Sequence, residues 1–257
     1  MLSLRDQTLV TVLAATDAVF IPDRDPTTRP RHQVICERRW SFPKRGIPWA
    51  SEKVVPGADD SLRKRIQRAL EDLIGEGLVE AFQPKLTKTL GVRLTEQGDA
   101  RARALAGLPQ LADSIPLLQD VWQRTQGDDG AAFLGRVWIQ ETLLAGVRWG
   151  DHERRKAFVD VEEKLLPAMV RGYVESNCSV EGHCWYAIWP DGVKFLSQPT
   201  APPEKLPSRN KEARSEYYWL VRHEMLALAT AKPVNDREIG EIAMPVCPIL
   251  RRHEAGV

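Results

Sequence analysis

Residues 61–80 read SLRKRIQRALEDLIGEGLVE, and the reading of this stretch decides the fold. Leu62, Ile66, Ala69, Leu70 and Leu73 recur at three- and four-residue intervals, the spacing that lines one face of an α-helix. Lys64, Gln67 and Arg68 fall opposite that stripe. Asp59, Asp60 or Ser61 can accept hydrogen bonds from the free backbone N–H groups of the first turn. Gly77 supplies the stop. The pattern predicts a helix over 61–76 with an apolar back and a basic front.

Downstream, 78–82 and 91–94 read as short strands. Between them, 83–90 is a polar loop carrying Lys85 and Lys88. Thr95 is placed to cap a further helix over 96–105. Upstream, 4–15 reads as a helix with Leu9, Val10, Val12 and Leu13 on its apolar face. Residues 22–31 are rich in Pro, Asp and Thr and read as a loop, and 32–40 reads as a short second helix. Residues 41–60 carry Pro43, Gly46, Pro56 and Gly57 and read as an insertion or extended loop.

The order is helix, helix, basic helix, strand, loop, strand, helix. With it come Arg68-Ala69-Leu70-Glu71-Asp72-Leu73-Ile74-Gly75-Glu76-Gly77-Leu78-Val79-Glu80 and Val92-Arg93-Leu94-Thr95-Glu96-Gln97-Gly98. Together these resemble the end of the recognition helix and the exit from the wing in winged helix-turn-helix proteins, in particular MarR-like and PadR-like regulators. The similarity covers roughly the first 105 residues, and the long 41–60 segment departs from it. The resemblance implies a third helix that enters the major groove of duplex DNA, which is wide enough to admit one. Lys64, Gln67 and Arg68 are then the expected base or phosphate contacts, Arg63 and Arg65 phosphate clamps, and Lys85, Lys88 and Arg93 the wing's contacts to backbone or minor groove.

A divergent second copy follows. Gly172-Tyr173-Val174-Glu175 matches Gly77-Leu78-Val79-Glu80, and Ile188-Trp189-Pro190-Asp191-Gly192 matches Leu94-Thr95-Glu96-Gln97-Gly98. Val161 and Leu165 occupy the places of Ile66 and Leu70. Residues 117–126 and 131–147 are read as the helices that precede. Pro167 is expected to kink or end the third helix of this copy. Its other face, Lys156, Asp160 and Glu163, is mixed to acidic, which suits a protein or RNA partner or dimerisation better than phosphate. After a Pro-rich linker over 200–208, a helix is expected over 211–231 with Tyr217, Leu220, Val221, Met225 and Leu228 as its stripe. The expected fold is mainly α with small β wings: tandem winged-helix-like modules at 1–108 and 111–198, and a C-terminal helical extension at 209–257.

Net charge is +1, so composition alone does not indicate nucleic acid. Its distribution does. From Arg29 to Arg68 eleven Lys and Arg face four acids, a local excess of +7 and an electrostatic footprint for phosphate. Within it, Trp40, Phe42, Lys44, Arg45 and Trp49 interleave aromatic and basic side chains. That mixture suits stacking on unpaired bases or a segment folded onto the core, and the burial habit of large aromatics favours the core.

No Gly-rich phosphate loop, nucleophile elbow or His-Glu-x-x-His pattern occurs, so the expectation is a non-enzyme without cofactor. Cys178, His183 and Cys184 fit no common zinc spacing, and no metal site is expected. No run is long and apolar enough for a membrane span, and the scattered cysteines suit a reducing cytoplasm. The leading expectation is a cytoplasmic, sequence-specific double-stranded DNA-binding protein, a transcriptional regulator acting as a homodimer. The alternatives are a plasmid- or phage-type replication initiator and a non-catalytic adaptor subunit of a nucleoprotein or defence complex.

Overall fold

A helix that is apolar on every side must be enclosed by its neighbours. The first helix, α1 (Leu4–Phe20), is enclosed in this way although it carries Thr8, Thr11, Thr16 and Asp17: every residue from Thr8 to Val19 is buried. Ser3 caps it, its hydroxyl accepting from the Asp6 N–H at 3.1 Å. The helix runs five residues beyond the expected 4–15 because Thr16 and Asp17, polar in sequence, are buried in its last turns. The computed structural model describes residues 2–21, 29–82, 90–125, 132–133, 136–138, 152–178, 184–198, 203–208 and 211–231.

Around α1 lie α2 (Arg29–Arg45), α3 (Asp60–Gly75) and α4 (Glu96–Ala106). The second helix is 17 residues long, so it takes in part of the predicted 22–31 loop and the start of the predicted insertion. Pro43 lies inside its last turn. The rest of the 41–60 segment is ordered too: strand β1 (Ile47–Pro48) and a 3₁₀ turn over Ser51–Lys53. Phe42, Ile47, Trp49, Val54 and Ala58 are buried in the first core, so this segment is part of the core rather than an extended loop. β2 (Val79–Phe82) and β3 (Gly91–Leu94) complete an antiparallel sheet in the order β1-β3-β2.

The second half starts with α5 (Leu111–Thr125), which packs against α6 (His152–Val170). Between them are β4 (Ala132–Phe133) and β5 (Arg136–Trp138), where the sequence suggested a helix over 131–147, the rest of which lies outside the described residues. Phe133, Val137 and Trp138 are β-branched or aromatic, and in so short a run that preference overrides helical periodicity. β6 (Val174–Cys178) and β7 (Cys184–Ile188) join them in the order β4-β5-β7-β6, and α7 (Pro190–Ser197) follows. Pro167 does not end α6, which continues through Val170 with Leu165, Leu166, Ala168 and Met169 buried.

The two halves build the same joint after α3 and α6. Gly77 and Gly172 take φ of +71° and +73°, a left-handed turn that favours glycine. Leu78 N–H then donates to the Leu73 carbonyl and Tyr173 N–H to the Ala168 carbonyl, each at 2.9 Å. On the return strand, Thr95 N–H donates to Leu78 at 3.1 Å and Trp189 N–H to Tyr173 at 2.9 Å. Gly98 and Gly192 lie so close to these two carbonyls that a Cβ on either would collide with one.

The last helix, α8 (Lys211–Thr230), does not stand apart. Tyr217, Leu220, Val221 and Leu228 are buried in the first core beside α1. The linker before it is held by Gln110, which donates to the Leu206 carbonyl at 2.8 Å and accepts from the Leu206 N–H at 3.0 Å. Lys205 pairs with Asp113 at 2.6 Å. Among the described residues the chain is mainly helical, with two small antiparallel sheets.

Candidate nucleic-acid interface

The basic front of α3 is set by its apolar back. Ile66, Ala69, Leu70 and Leu73 are buried, which turns Lys64, Arg65 and Arg68 to solvent. Among the described residues no ion pair or hydrogen bond engages these three side chains. Asp59 caps the helix, its Oδ1 accepting from the Leu62 N–H at 2.7 Å. Asp60 and Glu52 are the acids nearest the tip, and both engage Arg63, at 3.7 and 3.1 Å. All three are exposed, so these pairs contribute little and exchange readily for another anion. Gln67 is half-buried and donates to Glu71 at 3.2 Å. The helix is therefore basic over its first two turns and acidic at Glu71, Asp72 and Glu76.

Arg93 is engaged within the fold. Its Nε and Nη2 donate to Glu80 on the neighbouring strand at 3.1 and 2.5 Å, and Nη1 donates to the Pro43 carbonyl at 2.8 Å. Its guanidinium also lies over the Phe82 ring, 5.2 Å from the centroid. It ties the sheet to the end of α2, beside the exposed Lys44. Lys85 and Lys88 lie outside the described residues.

The basic window divides into structural and outward-facing cations. Arg39 is structural: Nε donates to the Val19 carbonyl at 2.8 Å, Nη2 to Phe20 at 2.7 Å and Nη1 to Ser176 at 3.2 Å. It thereby caps α1 and joins it to β6 of the second half. Lys53 pairs with Glu224 of α8 at 2.7 Å. Arg38 is half-buried, and that burial holds its guanidinium below its ordinary value despite Glu224 and Glu37. Among the described side chains of the window the exposed cations are Lys44, Lys64, Arg65 and Arg68, with Arg63 in exposed pairs and Arg45 half-buried.

Sequence reasoning missed a charged network beneath this surface. Arg103 on α4 bridges Asp17 on α1, at 2.7 and 3.1 Å, and Asp99, at 3.0 and 3.1 Å. Tyr217 on α8 donates its hydroxyl to Asp17 at 2.7 Å. Burial raises the Asp17 carboxyl above its ordinary value, against the opposing pull of Arg103. Burial also works against the Arg103 charge, but Asp17 and Asp99 outweigh it and hold the guanidinium above its ordinary value. The Tyr217 hydroxyl is pushed well up, first by burial and then by Asp17. The available signal was Asp17 itself, an acid inside an otherwise apolar and Thr-rich helix.

In the second half the acidic face is partly occupied by the chain's own α8. Glu163 accepts from Arg214 at 2.8 and 2.9 Å and from the Tyr218 hydroxyl. The side chains of Lys156 and Asp160 lie outside the described set. Among the described residues no cluster of three or more His, Cys, Asp or Glu is placed to hold a metal ion, and no helix is long and apolar enough to cross a membrane. Comparison with protein-family models, with curated proteins and with solved structures finds no match in any of the three.

Proposed function

We propose that this chain is a double-stranded DNA-binding protein, a sequence-specific transcriptional regulator, that presents α3 to the major groove. The observation that carries the reading is the exposed, unengaged set Lys64, Arg65 and Arg68 on the first half of that helix. The helix order and the β1-β3-β2 sheet support a winged-helix reading of residues 1–108. In that plan the N-terminal part of the third helix meets the base edges, where arginine bonds guanine and lysine meets phosphate. The repeated joint at Gly77 and Gly172 supports a second module of the same plan at 111–198. The experiment is a triple charge reversal, Lys64→Glu, Arg65→Glu and Arg68→Glu, assayed on labelled duplex. Loss of binding with an unchanged far-UV spectrum supports the reading, and unchanged affinity overturns it.

A second reading, a non-catalytic adaptor subunit, is favoured by one observation. Trp219 and Leu226 on α8 are 47% and 58% exposed, large apolar groups on the outer side of a helix whose inner side is core. Absence of duplex binding, together with a stoichiometric protein or RNA partner lost on Trp219→Ala, places this reading first.

A further inference from the structure

We propose that Cys178 and Cys184 form a redox-responsive pair that closes into a cross-strand disulfide at the far end of the β6–β7 hairpin. The two are direct partners in the antiparallel register, which runs Val174 to Ile188, Ser176 to Tyr186 and Cys178 to Cys184. In such a ladder hydrogen-bonded and non-hydrogen-bonded pairs alternate. The Trp189 N–H donates to the Tyr173 carbonyl at 2.9 Å, which makes 173 and 189 a hydrogen-bonded position. Counting along the strands puts 175 with 187 and 177 with 185 in that class. The pairs 174 with 188, 176 with 186 and 178 with 184 fall in the other.

Non-hydrogen-bonded pairs have Cα atoms only about 4.5 Å apart. A disulfide needs a Cα separation of about 4.4–6.8 Å, so the bond fits this position without moving the backbone. Val174, Ser176, Tyr186 and Ile188, at the alternate register positions leading up to the two cysteines, are buried. Counting the same distance along the first hairpin reaches Gln83 and Leu90, so the pair belongs to the second half alone. β6 is already tied to the first half through the Ser176 carbonyl and Arg39, two residues before Cys178.

The oxidant is a low-molecular-weight disulfide. The thiolate of one cysteine attacks it, its S–S bond breaks, a mixed disulfide forms and one small thiolate leaves. The second cysteine thiolate then attacks the protein sulfur of that mixed disulfide, forming the Cys178–Cys184 bond and releasing the second small thiolate. Both protein protons finish on the small thiols, and the two electrons lost by the cysteines reduce the oxidant.

The test equilibrates the full chain in buffers of reduced and oxidised glutathione, quenches with acid and alkylates the remaining thiols. Both cysteines lie on one tryptic peptide, Gly172–Lys194. The expected result is that this peptide, from monomeric protein, escapes alkylation and is lighter by two hydrogens. Its fragments on either side of Glu181 stay joined until reduced. Cys178→Ser is expected to abolish the bridge while leaving the far-UV spectrum unchanged. Alkylation of both cysteines after equilibration with excess oxidised glutathione overturns the proposal. So does a bridge to Cys36, to Cys247 or to a second chain, or protection from alkylation that a chelator removes.

Discussion

Arg103 and Asp17, 86 residues apart, meet as a two-bond ion pair with side chains 1% and 0% exposed. Arg103 thereby fastens α4 to α1 and Tyr217 fastens α8 to it, while Asp99 holds Arg103 from within α4; α3 also packs against α1. Removing one partner of a buried pair leaves an uncompensated charge, which costs about 3–5 kcal/mol. Asp17→Ala is expected to lose that much in urea unfolding. Tyr217→Phe leaves one acceptor short, and about 1–3 kcal/mol is expected. Equal and negligible losses for both would mean the network is dispensable.

The same carboxyl sets a pH dependence. Burial raises Asp17 above its ordinary 3.8. A carboxyl with a raised folded value binds its proton more tightly when folded. Its stabilising contribution is therefore complete below 3.8 and is lost as pH rises through the folded value. Asparagine does not titrate there. The stability of the wild type minus that of Asp17→Asn should fall as pH climbs above 3.8. A difference that grows over that range contradicts the raised value.

The paired joints should respond alike to one added methyl group. Gly98→Ala and Gly192→Ala each force a Cβ against a backbone carbonyl that cannot withdraw without opening the joint. Gly77→Ala meets nothing and incurs only the left-handed turn penalty, about 1–2 kcal/mol. Thermal unfolding should rank Gly98→Ala as more destabilising than Gly77→Ala. The reverse order would remove the close approach from the account.

Cations in the basic window should separate into two classes. Arg39→Ala uncaps α1 and is expected to lower stability by about 1–3 kcal/mol with no change in the salt dependence of duplex binding. Lys64, Arg65 and Arg68 should do the opposite. Their combined neutralisation to glutamine is expected to reduce the salt slope by about 2–3, roughly 0.9 for each phosphate no longer neutralised, with the melting temperature held.

Strong periodicity made much of this legible. Asp59 before an apolar stripe, Gly77 after it and Thr95 before the next helix each specify a boundary through local hydrogen bonds, and each boundary is where the spacing put it within a residue or two. The stripe Tyr217, Leu220, Val221 and Leu228 was equally plain, but which surface it covers depends on contacts two hundred residues away. The same limit applies to charge. Arg38, Arg39 and Lys53 look like Lys64 and Arg68 in sequence, and only tertiary partners (the end of α1, and Glu224 of α8) turn them inward. Residues 41–60 were misread because prolines and glycines signal breaks, while Phe42, Ile47 and Trp49 build core between those breaks.

The central claim is tested most directly by binding of the purified chain to a labelled random-sequence duplex across a salt series. Affinity is expected to fall steeply and linearly on a log–log scale, with a slope corresponding to several phosphate contacts. Absence of binding at low salt, or affinity indifferent to salt, would contradict it.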